Sequence, residues 1–263
     1  MKYFDSHAHY YDERFISEYE GSVDQLIGAL LSSDISHIIN VGTSPETSRL
    51  AIEQAKKHEN MYTAIGVHPS DAQYLKVSLD DALSDIESLI RNPENRCVAL
   101  GEIGLDYHYP DTDKELQMRY LDAQLDLART LDIPVVIHDR DSHADIMAAV
   151  RRHKGVRGVF HSYSGGTEQA RELLSLGYII SFSGTITFTN ARRPREVAQI
   201  LPKESVLIET DCPYLAPHPK RGTLNHSANL CYTNAALASA WGMAEEETAD
   251  ITFENARRFF GIK

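Results

Sequence analysis

The feature that most limits how this chain can fold is an alternation repeated from end to end. A short apolar run gives way to a turn, then to a segment with apolar residues three or four apart, and the cycle recurs eight times. The apolar runs predict strands at 3–9, 37–41, 61–67, 97–103, 134–138, 158–161, 178–184 and 206–211. Helical spacing follows at 23–31, 45–57, 79–91, 112–131, 144–153, after Thr167, and at 230–241 and 245–260. Ser44 with Pro45, Thr112-Asp113-Lys114-Glu115 as a capping box, and Thr167 are the expected helix starts. Eight such units in 263 residues fit a (β/α)8 TIM barrel, for which about 250 residues is typical. No linker, low-complexity run or composition break interrupts the pattern, so residues 1–263 read as one domain. A doubly wound open sheet would carry a glycine-rich dinucleotide loop after its first strand, and none is present. The strands are nearly continuous apolar runs, as parallel strands covered on both faces should be.

Polar residues end these apolar runs at corresponding places, and in a barrel the C-terminal strand ends are where chemistry sits. In Phe4-Asp5-Ser6-His7-Ala8-His9, strand alternation turns His7 and His9 to one face. Such a pair can chelate a metal through neutral imidazole, although His-x-His alone discriminates poorly. His68, Glu102, His138, His161 and Asp211 occupy the matching positions on later strands. Each has an ordinary reading as well. His68 could be a turn residue before Pro69, Glu102 half of an ion pair, His138 and His161 hydrogen-bonded core histidines, and Asp211 a helix cap. All of these would have to hold together, and a buried cluster of unpaired imidazoles and carboxylates is costly without a cation. His37, His58, His108, His143, His153, His218 and His226 are read as non-ligands, of which His108 and His226 lie on rim loops.

A formal net charge of −12 argues against a protein that coats nucleic acid by general electrostatics, but not against a local phosphate site. Arg192, Arg193 and Arg195 follow the seventh strand, and Lys220 and Arg221 the eighth, where barrels often bind phosphate. An arginine run on a solvated helix face would look the same. Tyr107, Tyr109, Tyr163, Phe182, Phe188 and Tyr214 near the rim could stack unpaired bases or belong to the core. Three widely spaced cysteines, no signal-peptide run and no stretch of eighteen apolar residues lead to the expectation of a soluble cytoplasmic protein. No protein partner can be inferred.

Six motifs make the sequence resemble the TatD family of metal-dependent deoxyribonucleases, within the amidohydrolase superfamily. They are Asp5-Ser6-His7-Ala8-His9, Gly66-Val67-His68-Pro69 and Gly101 to Tyr107; then Pro134 to His138 with Arg140, His161-Ser162-Tyr163-Ser164-Gly165, and Glu209 to Leu215. The resemblance covers essentially the whole chain. It implies two adjacent divalent ions, one held by His7, His9 and Asp211, the other by His138 and His161, with Glu102 bridging both; the ligand chemistry permits magnesium, manganese or zinc, and also iron or cobalt. It implies a 3′–5′ exonuclease acting on single-stranded DNA. His68 would bind or polarise the phosphate and Asp211 would take a proton from the attacking water. Arg140, Tyr163, Arg192, Arg193 and Arg221 would line the substrate path. The alternatives are hydrolysis of an amide or ester, including an aminoacyl-tRNA ester, and a metal-binding barrel without turnover. Glu102 weakens the first, because many amidohydrolases bridge their metals with a modified lysine at that place. The sequence departs from the family where Asn-Glu-Pro is common: here the run is Arg221-Gly222-Thr223-Leu224-Asn225-His226-Ser227.

Overall fold

The structure, a computed structural model, describes residues 1–263. Eight parallel strands lie in sequence order, each bonded to the next: β1 (Tyr3–Ala8), β2 (Ile35–Val41), β3 (Met61–Ile65), β4 (Cys97–Asp106), β5 (Val135–Arg140), β6 (Gly158–Phe160), β7 (Tyr178–Phe182) and β8 (Val206–Ile208). The intervening helices are α1 (Glu13–Glu18), α2 (Val23–Leu31), α3 (Pro45–Ala55), α4 (Pro69–Ala72), α5 (Leu79–Arg91), α6 (Lys114–Leu131), α7 (His143–Arg152), α8 (Thr167–Ser175) and α9 (Arg192–Ile200), followed by α10 (Leu230–Trp241) and α11 (Glu245–Phe260). This is a (β/α)8 barrel. Closure falls between β1 and β8, where Asp211 N–H donates to His7 O at 2.9 Å and His9 N–H to Cys212 O at 2.7 Å. No helix is long and apolar enough to cross a membrane.

Two apolar layers hold the barrel. A large cluster lies mainly between strands and surrounding helices, and includes Phe15, Ile103, Ile137, Phe160 and Phe182. A second contains Phe4, Ile39, Val41, Ala64, Ala99, Val136, Val159 and Leu207 from the strands, and Ala256 and Phe260 from α11 seal it at the strand starts. Side-chain alternation then sets what stands above this plug. His138 is two residues beyond Val136, His161 two beyond Val159, and Glu209 two beyond Leu207. The apolar filling therefore passes directly into polar groups at the C-terminal rim.

Some expected boundaries move. The fourth strand continues to Asp106 because Gly104, Leu105 and Asp106 pair with His138, Asp139 and Arg140, which lengthens β5 too. The eighth strand stops at Ile208, and Asp211 turns into the left-handed region at φ 56°. Asp113, not Thr112, caps α6, accepting from Leu116 N–H at 2.9 Å. Gly166 holds the cap position of α8, and Thr167 is its first residue, donating to Glu168 Oε2. α1, α4 and α9 add to the helices that the sequence predicts; α1 and α4 are too short for an apolar period to emerge.

Gly104 carries a measurable consequence. Its φ is +146°, and a Cβ there would stand 2.0 Å from the carbonyl oxygen of its strand partner His138. Gly104→Ala is expected to destabilise the fold by about 3 kcal/mol or more, since strain and a backbone clash coincide. Urea denaturation checks it; a loss under about 1 kcal/mol would mean that β4 can shift without cost.

Candidate metal centre

Seven side chains from six strand ends converge on one point. The Glu102 carboxylate is at the middle, 3% exposed, and its two oxygens face different partners. Oε2 lies 3.2 Å from His7 Nε2 and 3.6 Å from His9 Nε2. Those nitrogens are 3.0 Å apart, and Asp211 Oδ1 is 3.7 and 3.4 Å from them. Oε1 lies 2.8 Å from both His138 Nδ1 and His161 Nε2, which are 3.1 Å from each other. Two donor sets thus share one carboxylate: His7, His9 and Asp211 on one side, His138 and His161 on the other. They are contiguous, since the His7 and His161 rings stack with centroids 4.1 Å apart.

The outward nitrogens say which atoms point inward with lone pairs. His9 Nδ1–H donates to the Val41 carbonyl at 2.7 Å. His161 Nδ1–H donates to Glu209 Oε1 at 3.2 Å, and His138 Nε2–H to Asp106 Oδ2 at 3.3 Å. Carbonyls and carboxylates only accept, so these outer nitrogens carry protons, and each inner nitrogen needs a proton or a cation between it and Glu102, which only accepts as well. With neither in place the inward atoms are lone pairs crowded on one another and on carboxylate oxygens. That arrangement is repulsive on its own and matches what divalent cations require of nitrogen and oxygen ligands. The donor set fits such ions on both sides of Glu102.

His68 differs. It caps α4, and its Nδ1 accepts from Ser70 N–H at 3.1 Å. The proton is then on Nε2, which faces the site 3.5 Å from Glu102 Oε1. Although His68, Glu102 and His138 bring ligand atoms within 4.8 Å of one another, His68 offers the centre a hydrogen-bond donor rather than a lone pair.

The same carboxylates draw protons onto the imidazoles: against their burial, Glu102 and Glu209 hold His161 well above its usual range, and His138 and His9 are raised too. Burial alone would raise the Glu102 carboxyl, but the imidazoles of His161, His68 and His7 outweigh it and hold it well below the usual carboxylate range. Asp211 is held low against its burial by His9, His7 and His161. Beneath the site, burial pushes the Asp5 carboxyl up to about 6, against hydrogen bonds from Ser227 and Thr210. Asp5 ties the barrel shut: its Oδ2 accepts from Thr210 Oγ1 and Ser227 Oγ at 2.6 Å each, and its Oδ1 from Thr210 N–H at 2.9 Å. Asn225 Nδ2 donates to the carbonyls of Thr210 and Tyr214. The divergent loop thus anchors the backbone that presents Asp211, with Asn225 and Ser227 both buried.

Outside the cluster the expected rim residues separate. Arg140 lies over the Tyr109 ring and Arg221 over Phe188. Arg192, paired with Glu196 at 2.7 Å, and Arg193 line an open cavity of about 520 Å³ with Ser164 and Asn190. Tyr163 is a correction. It is 3% exposed, turned into the core, and its hydroxyl donates to Gly166 O, so it lines no substrate path. Phe182 is core too, whereas Tyr109 is 55% and Tyr214 42% exposed. His108 pairs with Asp141 at 3.0 Å and stays outside the donor sets, as does His226. Asp106 and Glu209 orient ligand-type histidines, a role their motifs do not reveal; the two-residue step from Leu207 to Glu209 is the sequence signal for the second.

A family described as TatD related DNase matches residues 4–261. YabD of Bacillus subtilis, described as an uncharacterized metal-dependent hydrolase, is 36% identical over 98% of this chain and 99% of its own. YcfH of Escherichia coli K12, described in the same words, is 35% identical over 98% of this chain and 95% of its own. The crystal structure of the TatD homologue YjjV from Escherichia coli K12 superposes with a TM-score of 0.88 at 30% identity, covering 99% of this chain and 98% of that one. An uncharacterized amidohydrolase from Saccharomyces cerevisiae shares the fold, with a TM-score of 0.78 at 17% identity over 98% of this chain and 99% of its own. The chain belongs to the TatD-related DNase family of metal-dependent hydrolases.

Proposed function

We propose that this protein hydrolyses phosphodiester bonds of single-stranded DNA, releasing nucleotides from the 3′ end, with two divalent ions held on either side of Glu102. The observation that carries the reading is the division of that carboxylate: Oε2 faces His7, His9 and Asp211, and Oε1 faces His138 and His161. Magnesium, manganese and zinc are the ions in view. Bound divalent cations supply Lewis acidity toward a phosphoryl oxygen and acidify water. The chain's own groups do the rest. Asp211, held ionised, accepts the proton of the attacking water. His68 directs its Nε2–H at the scissile phosphate and can pass that proton to the leaving oxygen. Arg140 and Arg221 supply positive charge on the rim for flanking phosphates, and exposed Tyr109 and Tyr214 give faces on which unpaired bases stack. The acidic total charge fits a protein that grips a few phosphates locally. The end preference follows from the family resemblance.

The test is digestion of 5′-labelled single-stranded DNA across magnesium, manganese and zinc, with and without EDTA. Progressive shortening from the 3′ end, stopped by the chelator and restored by added metal, is the expected result. Intact DNA alongside turnover of an ester or amide model substrate would overturn the assignment.

A further inference from the structure

The two donor sets are backed differently, and from this we infer that Glu209 is a positioning residue that fixes the His161 imidazole and selectively strengthens the ion on the His138–His161 side. The inference rests on the two-ion reading above. On the His138–His161 side both far nitrogens meet a carboxylate, Asp106 Oδ2 at 3.3 Å and Glu209 Oε1 at 3.2 Å. On the other side His9 Nδ1 meets only neutral groups, the Val41 carbonyl at 2.7 Å and the Tyr11 hydroxyl at 3.2 Å, and His7 Nδ1 is buried with no partner. A carboxylate on the outer N–H makes the inner nitrogen a better donor and locks the ring's orientation.

Glu209 is well placed for this. It is buried to 1% exposure, and no arginine or lysine pairs with it. Its Oε1 accepts from His161 Nδ1–H and from Ser162 N–H at 2.8 Å, while Oε2 is buried without a partner. Ser162 has a φ of 41°, so the same oxygen holds the left-handed turn that follows the ligand-type histidine. A carboxylate kept in the interior without a cationic side chain is costly, and the imidazole on the cation side is what offsets it.

Zinc-loaded full-length protein titrated with a chromophoric chelator tests this, reading the release of each ion. In Glu209→Ala one of the two ions should be held about 10–100-fold more weakly while the other is unmoved. Glu209→Gln keeps an acceptor oxygen without the charge and should fall between alanine and wild type. Asp106→Asn should weaken the same ion, leaving one tight ion per chain in the double variant. Unchanged release of both ions from Glu209→Ala, or equal weakening of both with no rescue by glutamine, would reduce Glu209 to a support for the turn and overturn the inference. Fewer than two ions in the wild type would instead overturn the two-ion reading, and the inference with it.

Discussion

Glu102→Ala is expected to lower DNA hydrolysis by at least about 10³-fold and to loosen both ions. Removing one group that stabilises developing charge commonly costs 10²–10³ in turnover. Glu102 stands between both donor sets, so its loss acts on each side. The carboxylate is within 3.6 Å of His7, His9, His138 and His161 together. Without it the two donor sets lose the one carboxylate that faces both. Metal content after gel filtration and initial rates on labelled DNA check the result. Wild-type turnover or two retained ions in Glu102→Ala would refute the bridging role.

Much of this site was legible in the sequence because of what a barrel does to strand ends. Each of His7, His138, His161 and Asp211 closes an apolar run, and a polar residue at that point stands on the rim whatever the surrounding loop does. Side-chain pairing across 202 residues, such as His9 with Asp211, then follows from closure of β1 against β8. Three features were beyond that reading. Tyr163 follows a ligand-type histidine by two residues, but the chain leaves the strand at Phe160 and Ser162 takes a positive φ, so alternation no longer predicts its direction. The divergent loop reads in the sequence only as a departure from the family pattern. Its Asn225 and Ser227 are instead buried anchors for Asp5 and Thr210, a role set by long-range packing. The third is tautomeric state. The family resemblance gives His68 a different role from the ligand-type imidazoles but not a tautomer, which depends on whether the outer nitrogen meets the Ser70 N–H or an acceptor.

That distinction yields the second large effect. His68→Phe should cut turnover by about 10²–10⁴-fold, the usual range for a general acid or base, while both ions remain bound. The phenyl ring keeps much of the volume but can neither donate toward the centre nor accept from Ser70 N–H. Loss of the α4 cap should also lower stability by about 1 kcal/mol, a change visible in thermal melting but too small to unfold the chain. Metal content is the deciding measurement, because His68 shares a tight donor group with Glu102 and His138. If His68 were a ligand through Nε2, its removal would release an ion along with the activity. If it presents a proton there, turnover falls and the ions stay. Retained ions with unchanged turnover would deny it either role and leave Asp211 as the site's proton-handling group.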